Sequence, residues 1–202
     1  TGEANCPPSG LAGFEGVTLG AVSAPGGTDC AISKFPVIPP GAPVKAIIWP
    51  GIHNIRPNGQ QASQLVIDGL QRAEKYIDDK YAGQDLKISL SNCYRDTRQD
   101  FAWQCTTIMR AAPNNNPVAF GSTWPGSNPH SSGFACDLAL LKGGKIISGN
   151  MGNQNCTSKG PGNLLLVEIL TNSTVGGRRL GYEAWHFNWG GFNECYCALS
   201  EC

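Results

Sequence analysis

Apolar residues recur at helical spacing over one long stretch of this chain, from Gln61 to Tyr81. Leu65, Val66, Leu70, Ala73 and Ile77 fall on one side, with Asp68, Arg72, Lys75 and Asp79 turned away, which predicts an amphipathic helix packed on a core. Just beyond it the period shortens to two. Leu86, Ile88 and Leu90 alternate with Lys87, Ser89 and Ser91, the pattern of a half-buried strand. Alternation returns at Phe134, Cys136, Leu138 and Leu140, set against Ala135, Asp137 and Ala139, and Gly143-Gly144 then predicts a hairpin into Lys145-Ile146-Ile147. Asp96, with Gln99 three residues on, reads as the start of a second helix running to about Met109. Leu164 to Leu170 is a short helix candidate, while Ile47-Ile48-Trp49 and Trp185 to Trp189 are short strand candidates.

Two segments lack either period. Residues 1–45 hold few charges and many turn formers, Pro7-Pro8, Gly26-Gly27 and Pro39-Pro40 among them, and too little apolar content for a core of their own. They are expected to form an extended arm packed on the domain, stapled through Cys6 and Cys30. Residues 46–202 then form the main domain, with a long Asn/Pro/Gly loop over 111–129. The order of elements predicts an α+β fold: a small antiparallel sheet with flanking helices, loop-rich and disulfide-stapled.

Composition narrows the class further. A length of 202 residues suits one domain, perched on a formal net charge of zero, so no electrostatic footprint for nucleic acid or an anionic membrane is present. No apolar run approaches the roughly 18–20 residues of a membrane span. The chain begins without a charged and then apolar leader, so any signal peptide is expected to have been removed. Nine cysteines at irregular spacing, with no Cys-x-x-Cys pair, favour a disulfide framework over a zinc ribbon, and hence a secreted or periplasmic location. Connectivity is not readable from spacing, and an odd count leaves at least one thiol free or paired with another chain. Asn155 and Asn172 sit in glycosylation triplets, which arise often by chance.

Two stretches carry the chemistry. Asn128-Pro129-His130-Ser131-Ser132-Gly133-Phe134-Ala135-Cys136-Asp137 and Gly181-Tyr182-Glu183-Ala184-Trp185-His186-Phe187 contain two of the three histidines of the chain and two carboxylates. A catalytic zinc needs three protein ligands, an open position for water and a nearby base. On the strand, Asp137 projects away from Phe134, Cys136, Leu138 and Leu140 and so faces a cleft. His130 has the wrong parity for a continuous strand, so a loop must return it toward Asp137. Glu183 and His186 also differ by an odd number, which places Glu183 in a turn and the strand start near Ala184.

His-x6-Asp followed by Glu-x-x-His, with Trp before the last His, resembles the zinc D-alanyl-D-alanine carboxypeptidase family of VanY- and VanX-like metallopeptidases, which have the hedgehog/DD-peptidase fold. The family's Ser-Gly-Tyr-Arg-Ser…Gln motif has a counterpart in Asn92-Cys93-Tyr94-Arg95-Asp96-Thr97-Arg98-Gln99, so three motifs follow in order over residues 92–187. The resemblance implies a Zn2+ cofactor on His130, Asp137 and His186, Glu183 as the general base, and Arg95 as substrate binder or oxyanion partner. Asn128 stands where the family usually has Ser, and Cys93 where it usually has Gly. The first departure bears on substrate hydrogen bonding. The second is expected to add a disulfide beside Arg95.

The resemblance further implies a secreted or cell-wall peptidase acting on peptidoglycan stem peptides, as a D-Ala-D-Ala carboxypeptidase or, alternatively, an L-Ala-D-Glu endopeptidase. It is expected to be a monomer with no nucleic-acid or membrane-spanning partner. Ser131 and Trp185 are further candidates for substrate contact. Trp124, Trp185 and Trp189 serve equally well in a core. His53 is expected at the surface, Gln99 at a helix start or behind the site, and Cys136 in the core as a disulfide candidate. The rival class is a hedgehog-like binding module with the same zinc site, which has no need for Glu183 and Arg95 as base and oxyanion partner. A zinc that only stabilises the fold is the third reading.

Overall fold

The computed structural model describes residues 42–49, 51–54, 59–96, 129–148, 160–179 and 184–190. In chain order the elements are β1 (Val44–Ile47), β2 (His53–Asn54), β3 (Gln60–Ser63), α1 (Gln64–Lys80), β4 (Leu86–Asn92), α2 (Pro129–Ser132), β5 (Ala135–Lys142), β6 (Lys145–Ile146), α3 (Pro161–Thr171), β7 (Arg178–Arg179) and β8 (His186–Asn188). The main sheet runs β2-β4-β5-β8-β7, with β6 paired to β5, and β1 and β3 form a separate antiparallel ribbon. The expected α+β class with a small, mostly antiparallel sheet and a disulfide holds. Nearly all of the expected arm, the helix beyond Asp96 and the long loop up to residue 128 lie outside the described residues, as do Cys6, Cys30, Trp124 and Asn155.

The long helix begins at Gln64, because residues 60–63 are taken by β3. Val66, Ile67, Gly69, Leu70, Ala73 and Ile77 are buried. At about 100° per residue, Leu65 falls to the side of this stripe, and it is 41% exposed, where the sequence pattern placed it inward. The strand expected at Ile47 to Trp49 lies earlier, at Val44–Ile47, and Ile48 points to solvent. β4 and β5 form as expected and pair antiparallel from Leu86↔Lys142 to Asn92↔Asp137. Gly143 and Gly144 both take positive φ (57° and 73°), the conformation a two-residue hairpin turn needs, and they lead into β6.

One pairing was not foreseen. β2 lies parallel to β4, with His53 opposite Ser89, so β2, α1 and β4 make a crossover unit in what was expected to be a loop. His53 is nevertheless exposed, its Nδ1 2.8 Å from the Ser89 hydroxyl.

The core lies on one face of the sheet. Leu86, Ile88 and Leu90 of β4, Cys136, Leu138 and Leu140 of β5, and Phe187 of β8 meet α1 and the α3 residues Leu166, Val167, Ile169 and Leu170. Both long helices cover this one face, and they are stitched together at their exposed edge. Glu168 Oε1 accepts hydrogen bonds from Tyr76 (2.9 Å), Tyr81 (2.7 Å) and Lys80 (2.5 Å). Asn172 ends α3 by donating to the Ile169 carbonyl at 2.7 Å and accepting from the Val175 amide at 3.2 Å. That capping use of its amide speaks against glycosylation there.

Trp189 is a core residue, not a cleft residue. It is 1% exposed, and its indole N–H donates to the Val175 carbonyl at 3.2 Å. A Cβ at Gly69 of α1 would come within 2.9 Å of Trp189 Cε2, so helix and indole meet only because that position has no side chain. Gly69→Ala is therefore expected to cost about 1–3 kcal/mol through overpacking. Its urea midpoint should fall and the Trp189 environment should change in fluorescence; an unchanged midpoint would mean that the contact yields freely.

Candidate metal centre

The face of the sheet opposite the core carries the functional candidates. Asp137 has the other parity from Cys136 and Leu138, and His186 the other parity from Phe187. Asp137 and His186 are direct partners across β5 and β8, so their side chains rise side by side. His130 arrives from α2, a single helical turn where the sequence suggested an irregular loop. Pro129 opens the turn and Gly133 closes it at φ 85°, after which the chain enters β5. The Phe134 amide bonds back to the Pro129 carbonyl at 2.9 Å, fixing that reversal. The expected start of β8 near Ala184 is also close: Ala184 and Trp185 form a turn and the strand begins at His186.

The three expected ligands come together. Asp137 Oδ1 lies 3.1 Å from His186 Nδ1 and 3.3 Å from His130 Nε2, and the two ring nitrogens are 3.0 Å apart. His130 is 3% exposed and His186 4%. Each imidazole spends its other nitrogen on a fixed acceptor. His130 Nδ1 donates to the Cys93 carbonyl at 2.6 Å, and His186 Nε2 donates to Asn188 Oδ1 at 2.6 Å. In the neutral rings, the nitrogens that face Asp137 must therefore be lone pairs. Two lone pairs and a carboxylate oxygen crowd one largely buried space, an arrangement that can hold a cation at its centre.

Electrostatics argue against that cation being a proton on His130. Burial pushes the His130 pKa below its ordinary value, Asp137 opposes this, and the charges of Arg95 and His186 push the same way as burial. Burial acts to raise the Asp137 carboxyl, and only positive charge on His130 and His186 or N–H groups donated from them pull it below the usual carboxylate range, so the ionised carboxylate needs positive charge facing it. His130, Asp137 and His186 can thus hold a metal ion between them, their ligand atoms all lying within 4.8 Å of one another. Imidazoles hydrogen-bonded on the far side to a carbonyl or amide oxygen are the usual orienting arrangement around a metal.

The other candidates are placed as follows. Arg95 donates its backbone N–H to the His130 carbonyl at 3.4 Å, and its charge is felt at the His130 ring. Ser131 is buried within α2. Trp185 is half-buried, and its carbonyl accepts from the Leu138 amide at 2.7 Å. Glu183 and Gln99 lie outside the described residues. Cys93 and Cys136, both expected in disulfides, are bonded to each other. Sequence reasoning missed Asn188 and the Cys93 carbonyl. The first had a readable signal, since residues two apart on a strand share a face. A backbone carbonyl leaves none. No protein-family model matches the chain, and no curated protein is significantly similar to it.

Replacing any ligand, as in His130→Ala, Asp137→Ala or His186→Ala, should abolish stoichiometric metal uptake, read by elemental analysis after dialysis. Asn188→Leu should weaken binding about 10–100-fold by freeing the His186 ring; equal affinity would remove Asn188 from its orienting role.

Acid should destabilise the metal-free protein. Below the ordinary histidine value of 6.5 the unfolded chain takes up a proton at His130 that the folded chain refuses. Stability present above that pH is lost as pH falls, with a limiting slope of about 1.4 kcal/mol per pH unit for each proton. Urea midpoints across this range test this, and a flat profile that His130→Asn leaves unaltered would contradict it.

Proposed function

We propose that this protein is a zinc-dependent peptidase that hydrolyses an amide bond in peptidoglycan stem peptides, acting as a D-Ala-D-Ala carboxypeptidase. The observation that carries the reading is the convergence of His130 Nε2, His186 Nδ1 and Asp137 Oδ1, with both imidazoles fixed from behind. Two imidazoles and one carboxylate form a three-ligand set of the kind that leaves zinc a position for water and substrate. Zinc held there would lower the pKa of water and polarise the scissile carbonyl.

The protein's own residues supply the rest of the chemistry. His130, Asp137 and His186 would hold the ion, with the Cys93 carbonyl and Asn188 keeping the donor nitrogens aimed. Glu183, three residues before His186, takes the proton from the attacking water and passes it to the leaving amine. Arg95, whose main chain is tied to His130, offers its guanidinium to the negative charge that develops on the carbonyl oxygen. A buried disulfide agrees with an oxidising compartment, in which a secreted or periplasmic enzyme reaches the cell wall. Among the described residues no helix is long and apolar enough to cross a membrane.

Mass spectrometry of a pentapeptide stem incubated with zinc-loaded protein tests the proposal, with chelated protein as control. Zinc-dependent loss of one alanine is the expected result. A cut between L-Ala and D-Glu would keep the peptidase and change its specificity. No cleavage with zinc bound would favour the binding module. Glu183→Ala should retain zinc and lose at least about 10²-fold in turnover; retained turnover would exclude Glu183 as the base.

A further inference from the structure

His130 is aimed from a place its own helical turn does not control. The carbonyl that holds its Nδ1 belongs to Cys93, one residue past the end of β4. The ladder between β4 and β5 ends at Asn92↔Asp137, just after an irregularity that sets Ser91 and Asn92 against a single residue of β5. Past that point, where the Tyr94 amide donates to the Gln61 carbonyl at 2.8 Å, two side-chain links hold Cys93. Its sulfur is bonded to Cys136, and its amide donates to Gln60 Oε1 of β3 at 2.8 Å. Cys136 immediately precedes Asp137 and pairs with Phe187, the neighbour of His186. One covalent link therefore joins the strand end that aims His130 to the strands that carry the other two ligands.

We propose that the Cys93–Cys136 crosslink and the buried Gln60 side chain are positioning elements of the metal centre. Together they set the separation between His130 and the Asp137–His186 pair, so that one ion can engage all three donors. The inference rests on the triad being a metal site and is independent of peptidase activity. Both cysteines have no exposed surface, so the link is a fixed brace rather than a switch open to thiols in solution. A disulfide closing 43 residues also stabilises the fold through the unfolded chain, whether or not metal is present. The test must separate the two roles.

Zinc affinity of the full chain is measured by competition with a chromogenic chelator, and ligand geometry by the absorption of the Co2+-loaded protein. The double variant Cys93→Ala/Cys136→Ala and the single variant Gln60→Ala, which keeps the crosslink, should each bind zinc about tenfold or more weakly, with an altered Co2+ spectrum. Ile77→Ala, a core change on α1, lowers stability without touching the brace and should keep wild-type affinity while folded. If the double variant does not fold, Gln60→Ala decides. Wild-type affinity in Gln60→Ala overturns the proposal, as does an equal loss in Ile77→Ala. Failure of the oxidised wild-type protein to bind zinc or Co2+ overturns the metal reading itself, and with it this one.

Discussion

Lone pairs that face one another across a buried gap repel, and this structure places three of them within hydrogen-bonding distance of each other. The arrangement persists because each ring is held from behind: Cys93 fixes the proton on one imidazole and Asn188 fixes it on the other. The His130 ring cannot turn its N–H inward without taking that donor from the buried Cys93 carbonyl. The chain thereby maintains a concentration of negative potential that an ion relieves. The positions of α2, the end of β4 and the β5–β8 pair all bear on keeping that geometry.

β5 is the seam between this site and the rest of the fold. Its even-numbered positions 136, 138 and 140 face the helices, while Asp137 faces away from them. The irregularity in β4 completes the division. It brings Asn92 opposite Asp137 and lets Cys93 turn toward Cys136, so that a core crosslink and a site hydrogen bond come from the same residue. The single residue Cys93 thus belongs to both faces.

Much of this was legible in the sequence, for identifiable reasons. The grouping of His130, Asp137 and His186 could be read because chemistry confines metal binding to few residue types, and the alternation around Asp137 gave its direction. The helix at residues 64–80 and the hairpin at Gly143-Gly144 followed from period and turn chemistry. Features set by tertiary contact were less visible. Leu65 looks inward in a pattern that ignores where β3 ends. The parallel pairing of β2 depends on a partner more than thirty residues away. The helical turn at His130 depends on a Gly133 conformation that a loop assignment does not specify. The brace through Cys93 works through a backbone carbonyl, and backbone carbonyls are the same at every position.

Both long helices cover the same side of the sheet, which has a bearing on how the protein matures. The apolar core closes around α1, α3 and the inner faces of β4, β5 and β8 without drawing on any of the three ligands. A zinc finger, by contrast, has little to collapse around until its ion arrives. A core closed without His130, Asp137 and His186 would let any ion held by this triad enter last, after the folding reaction is complete.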